Sequence, residues 1–263
     1  MRNATTTPVR ITTDPPAIRA DDLVKTFRRP GSQDRLVAVD HVSFSIPAGQ
    51  LVAFLGPNGA GKSTSIDMLL GLIRPDSGRV QVLGGAPGRA ARGGRLAAVH
   101  QIGGLLPDFT VAETMRAIAA IHGVGQRVDA LLERWDLTDC ASTRVRRCSG
   151  GQQQRLRFAL AMLPSPQILI LDEPTAGLDV DARRRFWRIM RAESGRGVTI
   201  LFATHYIEEA DSFADRVLLL DQGRIVADGT VGAVRGSATL EDAFLRLTGK
   251  TGIADTDSQE IAS

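Results

Sequence analysis

The stretch Gly56-Pro57-Asn58-Gly59-Ala60-Gly61-Lys62-Ser63 constrains this chain more than any other, because it fits GxxxxGK[ST] and stands between two recognisable elements. Before it, the apolar run Leu51 to Leu55 reads as a buried strand, and after it Ile66, Leu69, Leu70 and Ile73 recur at helical spacing. Glycines in such a turn let the backbone curl so that successive N–H groups face a phosphate, and the following helix adds its positive end. Lys62 supplies a cation to the β and γ phosphates and Ser63 a hydroxyl to Mg²⁺. Asn58, Gly59, Gly61, Lys62, Ser63 and Thr64 are therefore candidate nucleotide-binding residues, with Ser63 also a candidate metal ligand. A glycine-rich turn that binds nothing is the plain alternative, and the flanking strand and helix weigh against it.

Further apolar runs at Ile168 to Leu171, Val198 to Ala203 and Val217 to Leu220 read as buried strands separated by helical patterns, which predicts an α/β fold with a parallel sheet. The run from Ile168 ends in Asp172 and Glu173, two acids at the strand end where open α/β sheets bind ligands. Asp172 suits Mg²⁺ held through its waters, and Glu173 suits a base that polarises the water attacking the γ phosphate. From about Gln101 to Pro166 no strand stands out and several helical patterns do, which suggests an inserted helical lobe. Leu240 to Leu247 reads as a short amphipathic closing helix. Residues 1–18 and 250–263 have compositions that bury little and are expected to be loose tails.

Composition excludes several classes. A net charge of +3 is too small to make nucleic acid the main partner. The two cysteines, Cys140 and Cys148, form no CxxC pair, so neither a disulfide framework nor a zinc site is suggested, and a reducing cytoplasm fits. No stretch approaches the roughly 18 apolar residues of a membrane span, and the N-terminus lacks the apolar centre of a signal peptide.

Cys148-Ser149-Gly150-Gly151-Gln152-Gln153-Gln154-Arg155 resembles the signature motif of ATP-binding cassette (ABC) proteins. Ser149, Gly150 and Gly151 would open a helix whose apolar stripe is Leu156, Ala159, Leu160 and Leu163, ending at Pro164 and Pro166, so that N–H groups and a hydroxyl face an anion. The resemblance runs from about Ala20 to Gly249 and implies a P-loop nucleoside triphosphate hydrolase core with a mostly parallel sheet, an antiparallel β subdomain and the inserted helical lobe, within an ATPase domain of residues 19–249. It implies ATP and Mg²⁺ as ligands. It also implies that a second copy pairs head to tail, so that Ser149, Gly150, Gly151 and Gln152 of one chain complete the phosphate site of the other. Gln101 resembles the Q-loop glutamine, which contacts Mg²⁺ and water on one side and the membrane partner on the other. Asp179 resembles the D-loop residue that touches the opposite subunit, His205 the switch histidine on the γ phosphate, and Phe27 the aromatic residue that stacks on adenine. Cys148 stands where the family usually has leucine; it can pack as a small hydrophobe, while Arg146, Arg147 and the helix end nearby could instead lower its pKa and leave it open to shielding when ATP closes the dimer.

Among the family's tasks, one cassette without long coiled coils or an appended regulatory domain points to a transporter subunit working with a separate integral membrane permease, peripheral on the inner face of the cell membrane. Export is favoured because residues 204–211 and 240–249 look like those of bacterial antibiotic and multidrug export cassettes. The apolar Leu105, Leu106, Pro107 and Phe109 are the candidate dock for the permease, or else a buried loop of the helical lobe. The arginines at 144, 146, 147, 155 and 157 and the run Arg183-Arg184-Arg185 read as mainly solvated. The competing reading is a soluble ABC ATPase that remodels a protein or nucleic acid.

Overall fold

The structure, a computed structural model, describes residues 15–28, 31, 34–100 and 104–249. Gln101 and the tail from 250 onwards lie outside the described residues, as does the expected N-terminal tail up to residue 14; Ala17 and Ile18, which close that segment, are buried.

Two sheets organise the chain. Strands β1 (Ile18–Arg28), β2 (Arg35–Ile46) and β4 (Ser77–Val82) form an antiparallel sheet in the order β2-β1-β4. Strands β3 (Leu51–Leu55), β5 (Leu96–Val99), β6 (Ile168–Asp172), β7 (Thr199–Thr204), β8 (Arg216–Asp221) and β9 (Arg224–Thr230) form the main sheet in the order β5-β6-β7-β3-β8-β9. Its pairings are parallel except for the β8–β9 hairpin. Helices α1 (Lys62–Leu70) and α2 (Pro87–Arg92) lie between β3 and β5 in sequence. Between β5 and β6 the described residues hold helices only: α3 (Val111–His122), α4 (Val128–Arg134) and α5 (Gly150–Met162), with three 3₁₀ turns. Helices α6 (Val180–Gly195), α7 (Ile207–Phe213), α8 (Val231–Arg235) and α9 (Leu240–Leu247) complete the chain.

The near-continuous apolar runs are explained by burial of both faces of the main sheet. Side chains alternate between faces along a strand. Leu51, Ala53 and Leu55 of β3 enter one core with the α3–α6 helices, whereas Val52 and Phe54 enter a second core with α1 and the antiparallel sheet. Strands β6 and β7 divide likewise, with Leu169, Leu171, Ile200 and Phe202 on the first side and Ile168, Ile170, Leu201 and Ala203 on the second. The first core carries an aromatic chain from Trp135 through Phe158 and Phe186 to Trp187, with successive centroids 5.3, 4.5 and 5.0 Å apart.

Register decides where the chemistry emerges. Asp172 lies opposite Ala203, and Leu55 lies opposite Thr204, so β6, β7 and β3 end side by side. The loops after these three strands carry Glu173, His205 and the glycine-rich turn, all at the carboxyl edge of the sheet.

Candidate functional site

The turn from Gly56 to Gly61 links β3 to α1 with no room for side chains at two of its glycines. A Cβ on Gly56 would stand 2.4 Å from the carbonyl oxygen of Leu220, and one on Gly61 would stand 2.3 Å from that of Ala38. Gly61 also has φ +97, a left-handed conformation that favours glycine, and it caps α1 without a side-chain hydrogen bond. The first N–H groups of α1 are thus left for a ligand, as anion binding at a helix start requires. Lys62 is buried, and its ammonium donates to the carbonyl oxygens of Gly56 at 2.7 Å and Pro57 at 3.1 Å. Burial pushes its pKa down, while Glu173 and Asp172 pull it back up.

Glu173 follows β6 with φ +49, a strained conformation for a residue with a side chain, and its N–H donates to Ala203 at 3.0 Å. His205 follows β7, and its Nδ1 stands 2.9 Å from Glu173 Oε2. That approach is close enough for attraction but lacks hydrogen-bond alignment, so Oε2 is a buried acceptor with no hydrogen-bond partner. A carboxylate oxygen in that state, beside a histidine and the glycine-rich turn, is suited to receive a water.

The other end of the constellation is built differently. Ser149 caps α5 in a reciprocal box: its hydroxyl accepts from the Gln152 N–H at 3.2 Å, and its own N–H donates to Gln152 Oε1 at 2.9 Å. Gly150 and Gly151 have nothing within 4 Å of where a Cβ would be, so nothing within the chain requires them to be glycine. The remaining glutamines of the motif hold the helix in place. Gln153 donates to the carbonyls of Val145 and Cys148 at 3.2 and 3.1 Å, and buried Gln154 donates to that of Pro174 at 3.1 Å, joining α5 to the turn after Glu173. Asp179 caps α6, accepting from the Ala182 N–H at 2.8 Å, and the adjacent Val180 is 66% exposed.

Phe27 lies on β1 with an exposed face and is paired with Leu36 of β2, two residues from the Ala38 carbonyl that touches Gly61. Phe27 and exposed Leu36, cross-strand partners on one face of the sheet, form an apolar patch near the glycine-rich turn, while Val37 points to the other face. Lys25, 5.7 Å from the Phe27 ring centre, is held by Asp76 at 2.8 Å.

One expectation changes and two open alternatives narrow. Cys148 is buried and desolvation raises its thiol pKa, which favours the packed reading over the activated one. Leu106 and Phe109 are exposed instead of forming a buried loop. Arg183 is not a merely solvated residue: its guanidinium lies 5.4 Å from the Tyr206 ring centre and its Nε 3.6 Å from Glu209. Sequence reasoning also assigned no role to the Thr175–Glu209 hydrogen bond, which spans 34 residues, or to the Gln154–Pro174 one, which spans 20, because such distant pairs leave no local pattern.

The ABC transporter family model matches residues 39–176, more than half of the chain, and spans the phosphate turn, the α5 motif and the acids after β6. The chain belongs to the ABC transporter family and is an ATP-hydrolysing, ATP-binding subunit of it. It is 41% identical over 208 residues to the Nod factor export ATP-binding protein I of Burkholderia lata, covering 76% of this chain and 68% of that protein. It is 37% identical over 226 residues to the daunorubicin resistance ATP-binding protein DrrA3 of Streptomyces coeruleorubidus, covering 82% of this chain and 72% of the relative. A solved ATP-binding subunit of an ABC transporter superposes with a TM-score of 0.79 at 27% identity, covering 88% of this chain and 99% of that one. This ABC subunit has the mixed sheet and clustered helices of those cassettes, and no helix among the described residues is long and apolar enough to cross a membrane.

Proposed function

We propose that this ABC subunit drives export through a separate integral membrane permease, two copies closing on two ATP molecules and reopening after hydrolysis. The observation that carries the catalytic part is the Glu173–His205 pair at the ends of neighbouring strands, with one buried carboxylate oxygen left without a hydrogen bond. Glu173 takes the role of base toward the attacking water, and His205 that of a contact to the γ phosphate. The turn residues Asn58, Gly59, Gly61, Lys62, Ser63 and Thr64 cradle the phosphates, and Phe27 stacks on the base. Lys62 would exchange its two carbonyl partners for phosphate oxygens.

Ser63, in the first turn of α1, and Asp172, at the end of β6, offer a hydroxyl and a carboxylate, the hard oxygen donors Mg²⁺ takes, and with Gln101 they would hold it together with the nucleotide. The ion would neutralise charge on the transferring phosphoryl group.

Pairing is supported by the open space at Gly150 and Gly151, which an anion from another chain could fill, with Ser149 and Gln152 at the same helix end. The exposed Val180 beside Asp179 fits a surface that meets a second copy. Exposed Leu106 and Phe109 fit the permease dock, and the likeness to the Nod factor export and daunorubicin resistance proteins supports the export reading. Work with a permease places the subunit at the cytoplasmic face of the membrane.

The test is Glu173→Gln with ATP, used to capture partners from detergent-solubilised membranes. ATP binding should persist while turnover falls at least about a hundredfold. Recovery of a protein with several apolar spans supports the transporter reading. Recovery of only soluble proteins or nucleic acid overturns it in favour of a remodelling ATPase, and unchanged turnover removes Glu173 from the role of base.

A further inference from the structure

Glu209, on α7, is an acid that the proposed chemistry does not use, yet it is 2% exposed. Burying a carboxylate is costly unless its oxygens are partnered, and an apolar side chain would fill the same space at less cost. Its two oxygens are divided between two loops. Oε1 accepts from the Thr175 hydroxyl, in the turn that begins with Glu173. Oε2 accepts from the Thr204 hydroxyl at 3.2 Å, the residue before His205. The Thr204 hydroxyl also accepts from the Tyr206 N–H at 3.0 Å, so the backbone is pinned on both sides of His205. The circuit closes through Arg183, whose guanidinium faces the Tyr206 ring at 5.4 Å and whose Nε lies 3.6 Å from Glu209, an ion-pair distance too long for a hydrogen bond. The backbone N–H of Arg183 makes the ordinary first-turn bond of α6, to the Asp179 carbonyl at 2.9 Å. Desolvation raises the Glu209 pKa, and the hydroxyls of Thr175 and Thr204, then Arg183, oppose that rise.

We propose that Glu209 is a positioning residue for ATP hydrolysis, using one carboxylate oxygen to hold the Glu173 turn and the other to hold the His205 turn, so that the two side chains stay in register across β6 and β7. This rests on the reading of Glu173 as the base. Without the tie, the Glu173 turn and the His205 turn can move independently, although each remains attached to its own strand. Among the described residues the hydrogen bonds and ion pair of Glu209 reach Thr175, Thr204 and Arg183, none of them in the proposed phosphate turn, so the loss should fall on turnover and not on affinity.

The experiment measures steady-state ATP hydrolysis by the full-length chain, with kcat normalised to ATP-binding stoichiometry so that misfolded protein does not count. In Glu209→Gln and in Thr204→Val, kcat should fall about tenfold while KM for ATP stays within about twofold. Thr204→Ser, which keeps the hydroxyl, should restore most of the rate. The double variant Thr204→Val with Glu209→Gln should be no slower than Glu209→Gln alone, because the tie that Thr204→Val removes is one of the two that Glu209 makes. Parental kcat in both single variants, losses that multiply in the double variant, or a drop confined to the fraction that binds ATP would each overturn the inference. Glu173→Gln in the same assay separates the two readings: if it turns over normally the base assignment fails first, and if it is inactive while Glu209→Gln is normal only the positioning role fails.

Discussion

The phosphate turn and the start of α5 are both glycine-rich helix openings, and they are built on opposite terms. At the turn, Gly56 and Gly61 are pressed against the carbonyls of Leu220 and Ala38, so the chain's own packing forbids a side chain. At α5, Gly150 and Gly151 face open space while Ser149 and Gln152 cap one another. The first shape is dictated from inside the fold. The second has no internal reason to be bare, which points outward, to a group brought by another molecule.

The strongest way to break the contrast is at the cation. Lys62→Ala should weaken ATP binding by roughly 30- to 100-fold, the loss of charge-assisted hydrogen bonds of about 2–3 kcal/mol, read by equilibrium nucleotide titration. The glycines sharpen it next. Gly61→Ala should destabilise the fold by at least about 1–3 kcal/mol through its left-handed φ and the Ala38 contact, and denaturant unfolding reads this directly. Gly151→Ala should do the reverse, leaving the fold unchanged or about 0.5–1 kcal/mol more stable because alanine suits a helix better, while ATP-dependent pairing and turnover are lost. If Gly151→Ala pairs and hydrolyses normally, the outward reading of α5 is wrong.

Ser149→Ala removes the cap hydroxyl and should cost about 0.5–2 kcal/mol of stability, with a further loss of turnover if the hydroxyl also meets phosphate. The smallest effect is expected at Asp76, whose pKa is lowered to about 2 by its hydrogen bonds from Lys25 and Thr26. A depressed carboxylate stabilises the fold above its unfolded value near 3.8 and loses that contribution as pH falls toward 2. Asp76→Asn should therefore lower the melting temperature slightly at pH 7 and by less at pH 3, and an equal difference at both would refute the ion pair's role.

What the sequence made legible follows from how local each signal is. Strands β3, β6, β7 and β8 could be read because both faces are buried, whereas the partly exposed edge strand β9 gave no such run; α9 could be read from its apolar repeat and lies at the expected residues 240–247. Strand β2 is harder: its buried positions Ile46, Phe44 and Val42 alternate, then jump to Val39, because His41 takes φ +53 and the register with β1 shifts there. Gly56 to Ser63, Asp172 and Glu173 are contiguous motifs at element ends, which is why they were visible. Glu209 was not, because its meaning arises only when Thr175 and Thr204 reach it through the fold. Arg183 was hidden in a run of three arginines, where charge alone says nothing about which one turns inward.

The Lys62 ammonium is held inside its own turn, by the carbonyls of Gly56 and Pro57. In the phosphate role proposed for Lys62, capture of ATP would be a trade of partners, and the same two carbonyls could take the ammonium back when phosphate leaves. On that proposal the turn is a latch with two resting places for one cation, and product discharge would meet little resistance there.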